Sequence, residues 1–292
     1  MAMTDSEGPI FVVGMNGSGT TMLADSLGQH PGLYVFPFES KLIPLYAQRV
    51  GAEGTLPDVA TARRLADEIG RAKPFWHANR KQALELPADT AIEPSVAGVF
   101  HALLGHMATR AGKPRWIEKS PVNTEHVALL AGLFPQARFL HIIRDGRDAA
   151  QSFHRRWGFD PAHTIWRWKK TVAMGREQGA RLGSARYLEL HYEAVTEDPA
   201  RYMRQVCEFV AVPYDESVLR SSMRHMTPAD KSSKGGQIVA NSQKWRQYFD
   251  ARQVQRLELL AGKQLQALGY EVSQAGDEDL SPSERRWLRL KD

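Results

Sequence analysis

Residues Gly14-Met-Asn-Gly-Ser-Gly-Thr-Thr21 follow directly on the apolar run Pro9-Ile-Phe-Val-Val13, and this junction constrains the chain more than any other feature. An apolar run this short, flanked by glycine, is too brief for a helix and reads as a buried strand. Thr20 to Gln29 then sets Met22, Leu23, Ser26 and Leu27 on one helical face. Strand, glycine loop and helix open an α/β chain. Glycines let the backbone curl, successive N–H groups turn inward, and the helix start adds its positive end, which together make a phosphate cradle. The spacing is that of G-x-x-x-x-G-K-[ST] except at one position, where Thr20 stands in place of lysine. That lysine reaches the β/γ-phosphates, so its absence disfavours a nucleoside triphosphate and favours a nucleotide with a different 5′ group.

The rest of the chain repeats the alternation. Further strands are expected at Arg115–Ile117, Ala137–Ile143 and Arg186–Leu190. Helices are expected at Val122–Leu133, Asp145–Trp157, Ala162–Leu182, Pro199–Val210 and Ala251–Leu268, the last closed by Gly269. Residues 40–112 show helical patterns broken by Pro57, Pro74, Pro87 and Pro94, with no strand. Alternating strands and helices predict a parallel, doubly wound sheet flanked by helices. No repeat or linker divides the chain, so 9–271 is read as one domain, with 40–112 as a mostly helical insertion and 1–8 and 272–292 as peripheral tails.

A second anion site is read from Arg144-Asp-Gly-Arg-Asp-Ala-Ala-Gln-Ser152, which follows the Ala137–Ile143 strand. Arg144 falls at that strand's carboxyl end, where ligands gather in open α/β sheets. A guanidinium fork there, with the Ser152 hydroxyl, suits one phosphate. Asp145 and Asp148 read as acids at a helix start, and Arg147 as their surface partner.

Composition sets the outer limits. Lys+Arg 38 against Asp+Glu 33 leave a formal net charge of +5, mild enough to suit a polyanionic small ligand. Hydrophobic content of 42% with 24% charged residues excludes a disordered chain. One cysteine, Cys207, excludes a disulfide framework or a multi-cysteine metal site and points to a reducing, cytoplasmic setting. No basic leader and no membrane-length apolar run are seen. Cys207 and His141 read as core residues, and His30, His101 and His106 lack the spacing of a metal site. Trp157, Phe159, Trp166 and Trp168 read either as an acceptor-pocket wall or as packing between helices.

Taken in order, these segments resemble the sulfotransferases that use 3′-phosphoadenosine 5′-phosphosulfate (PAPS). The resemblance spans most of 9–271, including Lys244-Trp-Arg246 and Leu268-Gly-Tyr270, and implies a P-loop-like sulfotransferase fold and metal-free transfer to a hydroxyl. It implies that Asn16, Gly17, Ser18, Gly19, Thr20 and Thr21 hold the 5′-phosphosulfate, that Arg144 and Ser152 hold the 3′-phosphate, and that Tyr192 lies near the adenine. Lys234, in Ser232-Ser-Lys-Gly-Gly236, resembles the segment that closes over the 3′-phosphate.

Glu118-Lys119-Ser-Pro121 keeps the family lysine but has proline where the phenol-sulfating branch has its histidine base. Phe38-Glu39-Ser-Lys41 instead matches the glutamate base of the tyrosylprotein and heparan-type branch. The resemblance therefore implies Glu39 as general base, its pKa raised by burial, and Lys119 as the cation bridging donor and leaving group. Gly17 departs from the family's Lys or Arg, the loss of one preorganised donor, typically worth about 3–4 kcal/mol.

The acceptor is expected to be a small molecule, lipid or glycan, handled without nucleic acid or a transmembrane segment. The rival readings are an NTP-dependent P-loop protein, which Thr20 opposes, and a non-catalytic nucleotide binder, which Gly17 favours. A nucleic-acid binder rests on charge alone.

Overall fold

The computed structural model describes residues 8–51, 53–220, 238, 240–284 and 286. Five parallel strands form one sheet in the order β2-β3-β1-β4-β5. They are β1 (Ile10–Val13), β2 (Leu33–Val35), β3 (Arg115–Lys119), β4 (Arg138–Ile143) and β5 (Tyr187–His191). β1 is buried along its whole length, as a central strand covered on both faces must be.

β1 pairs with β3 on one side and β4 on the other, with Val12 opposite Lys119 and Val13 opposite His141. The chain leaves β1 toward β2 and later returns to β4 on β1's other side. That reversal of direction opens a crevice beyond the carboxyl ends of β1, β3 and β4. The glycine loop, Lys119 and Arg144 all come to this one edge.

Helix α1 (Thr20–Gln29) runs from the glycine loop to β2. The expected insertion holds α2 (Leu42–Val50), α3 (Val59–Arg71), α4 (Lys73–Ala78) and α5 (Val96–Arg110). Its apolar residues, among them Ile43, Ile69, Phe75 and Phe100, join Phe11, Trp116 and Phe139 in one cluster on one face of the sheet. Asp58 and Ser95 cap α3 and α5 through the N–H groups of Thr61 and Gly98. On the opposite face Leu23, Leu27, Ile117, Ile142 and Val206 form a second cluster.

The remaining helices are α6 (Val127–Leu133), α7 (Gly146–Trp157), α8 (Pro161–Ala180), α9 (Tyr192–Glu197), α10 (Pro199–Phe209), α11 (Trp245–Tyr248) and α12 (Ala251–Ala267). α12 carries a full capping box, in which Asp250 and Gln253 each bond the other's backbone N–H.

The structure corrects the sequence reading in several places. β2 was not foreseen: three residues at a sheet edge carry too little periodicity to show. The helix expected at Val122–Leu133 divides into a 3₁₀ turn, Pro121–His126, and α6. Arg147 is a core residue, only 2% exposed, and pairs with Asp145 at 2.8 Å and Glu258 at 2.7 Å. The surface reading fails because Glu258 arrives from α12, 111 residues away.

Part of the tail expected to be peripheral is packed. Leu280 is buried with the α8 and α12 residues Ile165, Trp168 and Leu260, and the Ser273 N–H and hydroxyl both donate to Glu258. His141 and Cys207 are core residues, as expected. Desolvation, with Arg176 and His191 nearby, pushes the His141 pKa down to about 3. The two ring nitrogens of His30 meet the Gly32 N–H and the Pro213 carbonyl. Among the described residues no group of three His, Cys, Asp or Glu side chains gathers as a metal site, and no helix is long and apolar enough to cross a membrane.

Candidate active site

The glycine loop leaves β1 through Gly14, which has a φ of 145°. A Cβ there would lie 2.4 Å from the Ile142 carbonyl oxygen, so only glycine fits. Gly19, with a φ of 97°, precedes the first turn of α1. A Cβ on Gly19 would meet the Tyr192 ring at 2.4 Å. The loop and Tyr192 are therefore in direct contact, although 173 positions separate them (192 − 19). The first turn of α1 has no intrahelical partner for its N–H groups and carries no acidic side chain, which leaves its positive end available to an anion.

Arg144 begins just beyond β4 and reaches back over the loop. Its guanidinium donates to the Gly17 carbonyl at 3.2 Å and the Asn241 carbonyl at 2.6 Å. It also lies 4.5 Å from the Tyr192 ring centroid, and its NH2 is 3.8 Å from Asp148. The Tyr192 hydroxyl bonds Asn241, and desolvation dominates the rise in its pKa. Arg144, Tyr192 and the Gly17–Thr21 loop thus form one continuous wall. Ser152 lies on α7 and is half-buried. Lys234 lies outside the described residues.

Sequence reasoning missed Asp148, which anchors this wall. Buried at 0% exposure, it accepts from the Gln243 N–H at 2.7 Å and the Trp245 N–H at 3.0 Å. It therefore holds the segment whose Asn241 touches both Arg144 and Tyr192. Burial raises its pKa, against the lowering pull of Arg144. A carboxylate spaced for helix-start duty gave no signal of these partners, which come from 95 and 97 positions away.

Lys119 and Glu39 meet at the same edge. Lys119 Nζ stands 3.0 Å from Glu39 Oε1, and Lys41 Nζ stands 3.2 Å from Glu39 Oε2. Lys41 itself has a φ of 55°, a left-handed conformation unusual for a side-chain-bearing residue. The Glu39 pKa runs opposite to the sequence expectation. Burial raises it, but Lys119 and Lys41 together outweigh burial and hold the carboxyl below its ordinary value. Sequence alone could not weigh these effects, because Lys119 is 80 positions away.

Two cavities open beside Glu39. The larger, about 540 Å³, is lined by Thr21, Phe38, Glu39, Lys73, His77 and Lys119 among others. The smaller, about 280 Å³, is lined by Asn16, Glu39, Lys41, Val122, Phe153 and Arg167 among others. Of the aromatic residues considered for a pocket wall, Trp168 packs instead. It is fully buried, and its indole N–H donates to the Arg144 carbonyl at 3.0 Å.

Several polar atoms around the wall have no partner. Ser18 Oγ, Asn16 Oδ1 and Arg144 Nε are buried without a hydrogen bond among the described residues. Buried polar atoms are normally paired, and two of these, the Ser18 hydroxyl and the Arg144 Nε–H, are donors, which fits an anionic group seated beside the helix start.

A glycine loop at a helix start, an arginine joined to it and a lysine–glutamate pair at the same sheet edge agree with what the chain's relatives are. The description "Sulfotransferase family" matches residues 9–216, and the chain belongs to that family. An uncharacterized protein of Aquifex aeolicus is 26% identical over 258 residues, covering 83% of this chain and 31% of that protein. The protein-tyrosine sulfotransferase of Drosophila melanogaster is 25% identical over 219 residues, covering 72% of this chain and 39% of that protein. The chain thus spans well under half the length of either curated relative. Among solved structures, the sulfotransferase domain of the Synechococcus PCC 7002 olefin synthase superposes with a TM-score of 0.59 at 22% identity, covering 93% of this chain and 99% of that one. The sulfotransferase domain of the curacin biosynthetic pathway gives a TM-score of 0.54 at 16% identity, covering 93% and 100%. These two likenesses show that the fold is the sulfotransferase fold.

Proposed function

We propose that the chain transfers a sulfuryl group from PAPS to the hydroxyl of a small-molecule, lipid or glycan acceptor, releasing 3′-phosphoadenosine 5′-phosphate (PAP). The observation that carries this reading is the joining of Arg144 to the glycine loop at the Gly17 carbonyl, 3.2 Å apart. The 3′ and 5′ positions belong to one ribose, so a donor charged at both needs two anion sites about one sugar apart. Arg144 and the loop are adjacent in that sense.

Arg144, with Ser152 on α7, would hold the 3′-phosphate, exchanging neutral carbonyl partners for charge-assisted ones. Gly17 to Thr21, with the start of α1, would hold the 5′ group through backbone N–H donors, and Asn16 and Ser18 would supply side-chain partners. Tyr192 would face the nucleoside. The bound donor supplies an activated sulfuryl group and a phosphate able to leave with the electron pair of the broken S–O bond.

Glu39 accepts the proton of the attacking hydroxyl. Its lowered pKa keeps it ionised at neutral pH but makes it a weak base while Lys119 is paired with it. Lys119 therefore has two roles: it holds Glu39 before the donor binds, and on turning to developing charge it frees Glu39 as a stronger base. Gly17 supplies no side-chain cation, and Lys119 with the loop amides takes that part.

The 540 Å³ cavity beside Glu39 is of the size that holds small organic ligands. The curated relatives named protein-tyrosine sulfotransferases favour a second reading, in which the acceptor hydroxyl is that of a tyrosyl side chain. The test is transfer of label from sulfur-labelled PAPS to a panel of phenols, lipid alcohols, glycans and tyrosyl peptides. Labelled product from any of the first three supports the first reading, and from peptides alone the second. ATP binding that needs magnesium, with no affinity for PAP, would overturn both.

A further inference from the structure

Glu118 is a carboxylate of the sheet, fully buried one residue before Lys119 in β3. Successive residues of a strand face opposite sides, so Glu118 and Lys119 project to the two faces of the sheet. Glu39 and Ser40, in the loop after β2, straddle the end of β3 in the same way. Glu39 meets Lys119 on one side, while Ser40 meets Glu118 on the other, through its N–H at 3.1 Å and its hydroxyl at 2.8 Å.

The same carboxylate gathers two more donors. The Ser120 hydroxyl donates to Oε1 at 2.5 Å and Asn123 Nδ2 donates to Oε2 at 2.6 Å. Ser120 Oγ in turn accepts from the Lys41 N–H at 3.2 Å. The turn that carries Asn123 also reaches the phosphate cradle. Thr124 Oγ1 accepts from the Gly14 N–H at 2.7 Å and donates to the Pro121 carbonyl at 2.7 Å. One buried web therefore ties together the start of the glycine loop, the loop bearing Glu39 and the end of β3.

We propose that Glu118 is a positioning residue, fixing Glu39 against Lys119 by drawing four hydrogen bonds from the chain on either side of them. The proposal rests on the base and cation roles given above to Glu39 and Lys119. Glu118 touches neither acceptor nor donor; it acts through Ser40 and Ser120. All four partners donate, so what the site requires is acceptor capacity rather than charge as such.

Glutamine at this position meets that requirement. Its Oε1 keeps three of the bonds, and its Nε2 donates to Asn123 once that amide turns over. Turning over brings Asn123 Oδ1, buried with no partner among the described residues, to face that donor, so the contact is kept, one bond for one. Alanine removes all four acceptor contacts and frees the Ser40 half of the straddle.

The test compares Glu118→Gln and Glu118→Ala in the full chain by crystal structure and by PAPS turnover, with the acceptor panel and with water as acceptor. Glu118→Gln is expected to keep the Lys119–Glu39 contact near 3.0 Å and kcat within about threefold. Glu118→Ala is expected to separate the pair and lower kcat about 100-fold, the typical cost of about 1 Å misplacement, with the KM for PAPS within about twofold. A folded Glu118→Ala with the contact intact and kcat within about threefold overturns the proposal. Equal loss in both variants overturns it too, because charge would then matter rather than geometry.

Should Glu118→Ala fail to fold, Ser40→Ala deletes a single bond of the four. It is expected to lower kcat about fivefold at unchanged KM for PAPS, and an unchanged kcat counts against the proposal. Glu39→Gln is measured alongside. If it retains turnover, the base assignment falls, while the Lys119–Glu39 distance in the Glu118 variants still decides the positioning role.

Discussion

Replacing Arg144 by alanine isolates the donor-binding claim. In the structure the guanidinium donates to two neutral carbonyl oxygens, those of Gly17 and Asn241. Binding a 3′-phosphate replaces these partners with charged oxygens. A hydrogen bond to a charged group contributes about 1.5–3 kcal/mol, against about 0.5–1.5 for a neutral one. The exchange is therefore worth about 1–1.5 kcal/mol per bond, or about 2–3 kcal/mol for a two-pronged fork. At 1.4 kcal/mol per factor of ten, Arg144→Ala should weaken PAP binding by about 30- to 150-fold.

Adenosine 5′-phosphate lacks the 3′ group and should lose much less. Titration calorimetry with both ligands on both proteins gives the ratio directly. Arg144 also ties the loop to Asn241, so Arg144→Lys serves as the control that keeps a cation without the fork. An equal loss for the two nucleotides, or no loss for either, would refute the reasoning, since Arg144 would then be supporting the loop rather than reading the 3′-phosphate.

The other expectations concern the base, the loop and the buried charges. Lys119 and Lys41 together hold the Glu39 pKa below its ordinary value against burial; Lys119→Met leaves burial less opposed, so the acid limb of the kcat/KM profile should move to higher pH, and a limb that stays or moves down speaks against Glu39 as the base. Gly17→Arg must adopt a left-handed φ of 84° but has ordinary contact distance to Phe153 at 3.5 Å. It should cost about 1–2 kcal/mol in denaturant unfolding while tightening PAPS; if the native chain is inert and this variant active, Lys119 and the loop amides do not compensate for Gly17. Gly19→Ala drives a methyl to within 2.4 Å of the Tyr192 ring at positive φ, so both Tm and PAP affinity should fall, and unchanged affinity would separate the loop from the nucleotide site. Arg147→Ala leaves the buried Asp145 and Glu258 carboxylates without their cation and should destabilise the chain by about 3–5 kcal/mol, read as a shift in urea midpoint.

Much of this site was legible in one dimension because its parts sit at strand ends. Gly14–Thr21 follows the apolar run of β1, Arg144 follows the run of β4, and Tyr192 follows β5. A parallel sheet brings the carboxyl ends of its strands to one edge, so spacing along the chain predicts proximity in space. Glu39 was found by resemblance to a motif, since the three-residue β2 before it gives almost no periodic signal. Its pKa direction was misread because burial was expected to dominate, whereas Lys119, 80 positions away, and Lys41 together outweigh it. Asp148 and Arg147 looked like ordinary helix-start charges. Their burial depends on Trp245, Gln243 and Glu258, all brought in by the C-terminal segment.

By itself, then, the sequence determined the elements whose causes are local: strands from short apolar runs, a loop that only glycine can form, helices that begin at their capping acids. The tertiary structure decided which polar groups became buried and what each one met there. Glu118 receives a hydroxyl from Ser40, 78 positions earlier, and Lys119 reaches Glu39 across 80. A charge's protonation and reach depend on the dielectric and the partners around it, and those are properties of the folded neighbourhood rather than of the residue.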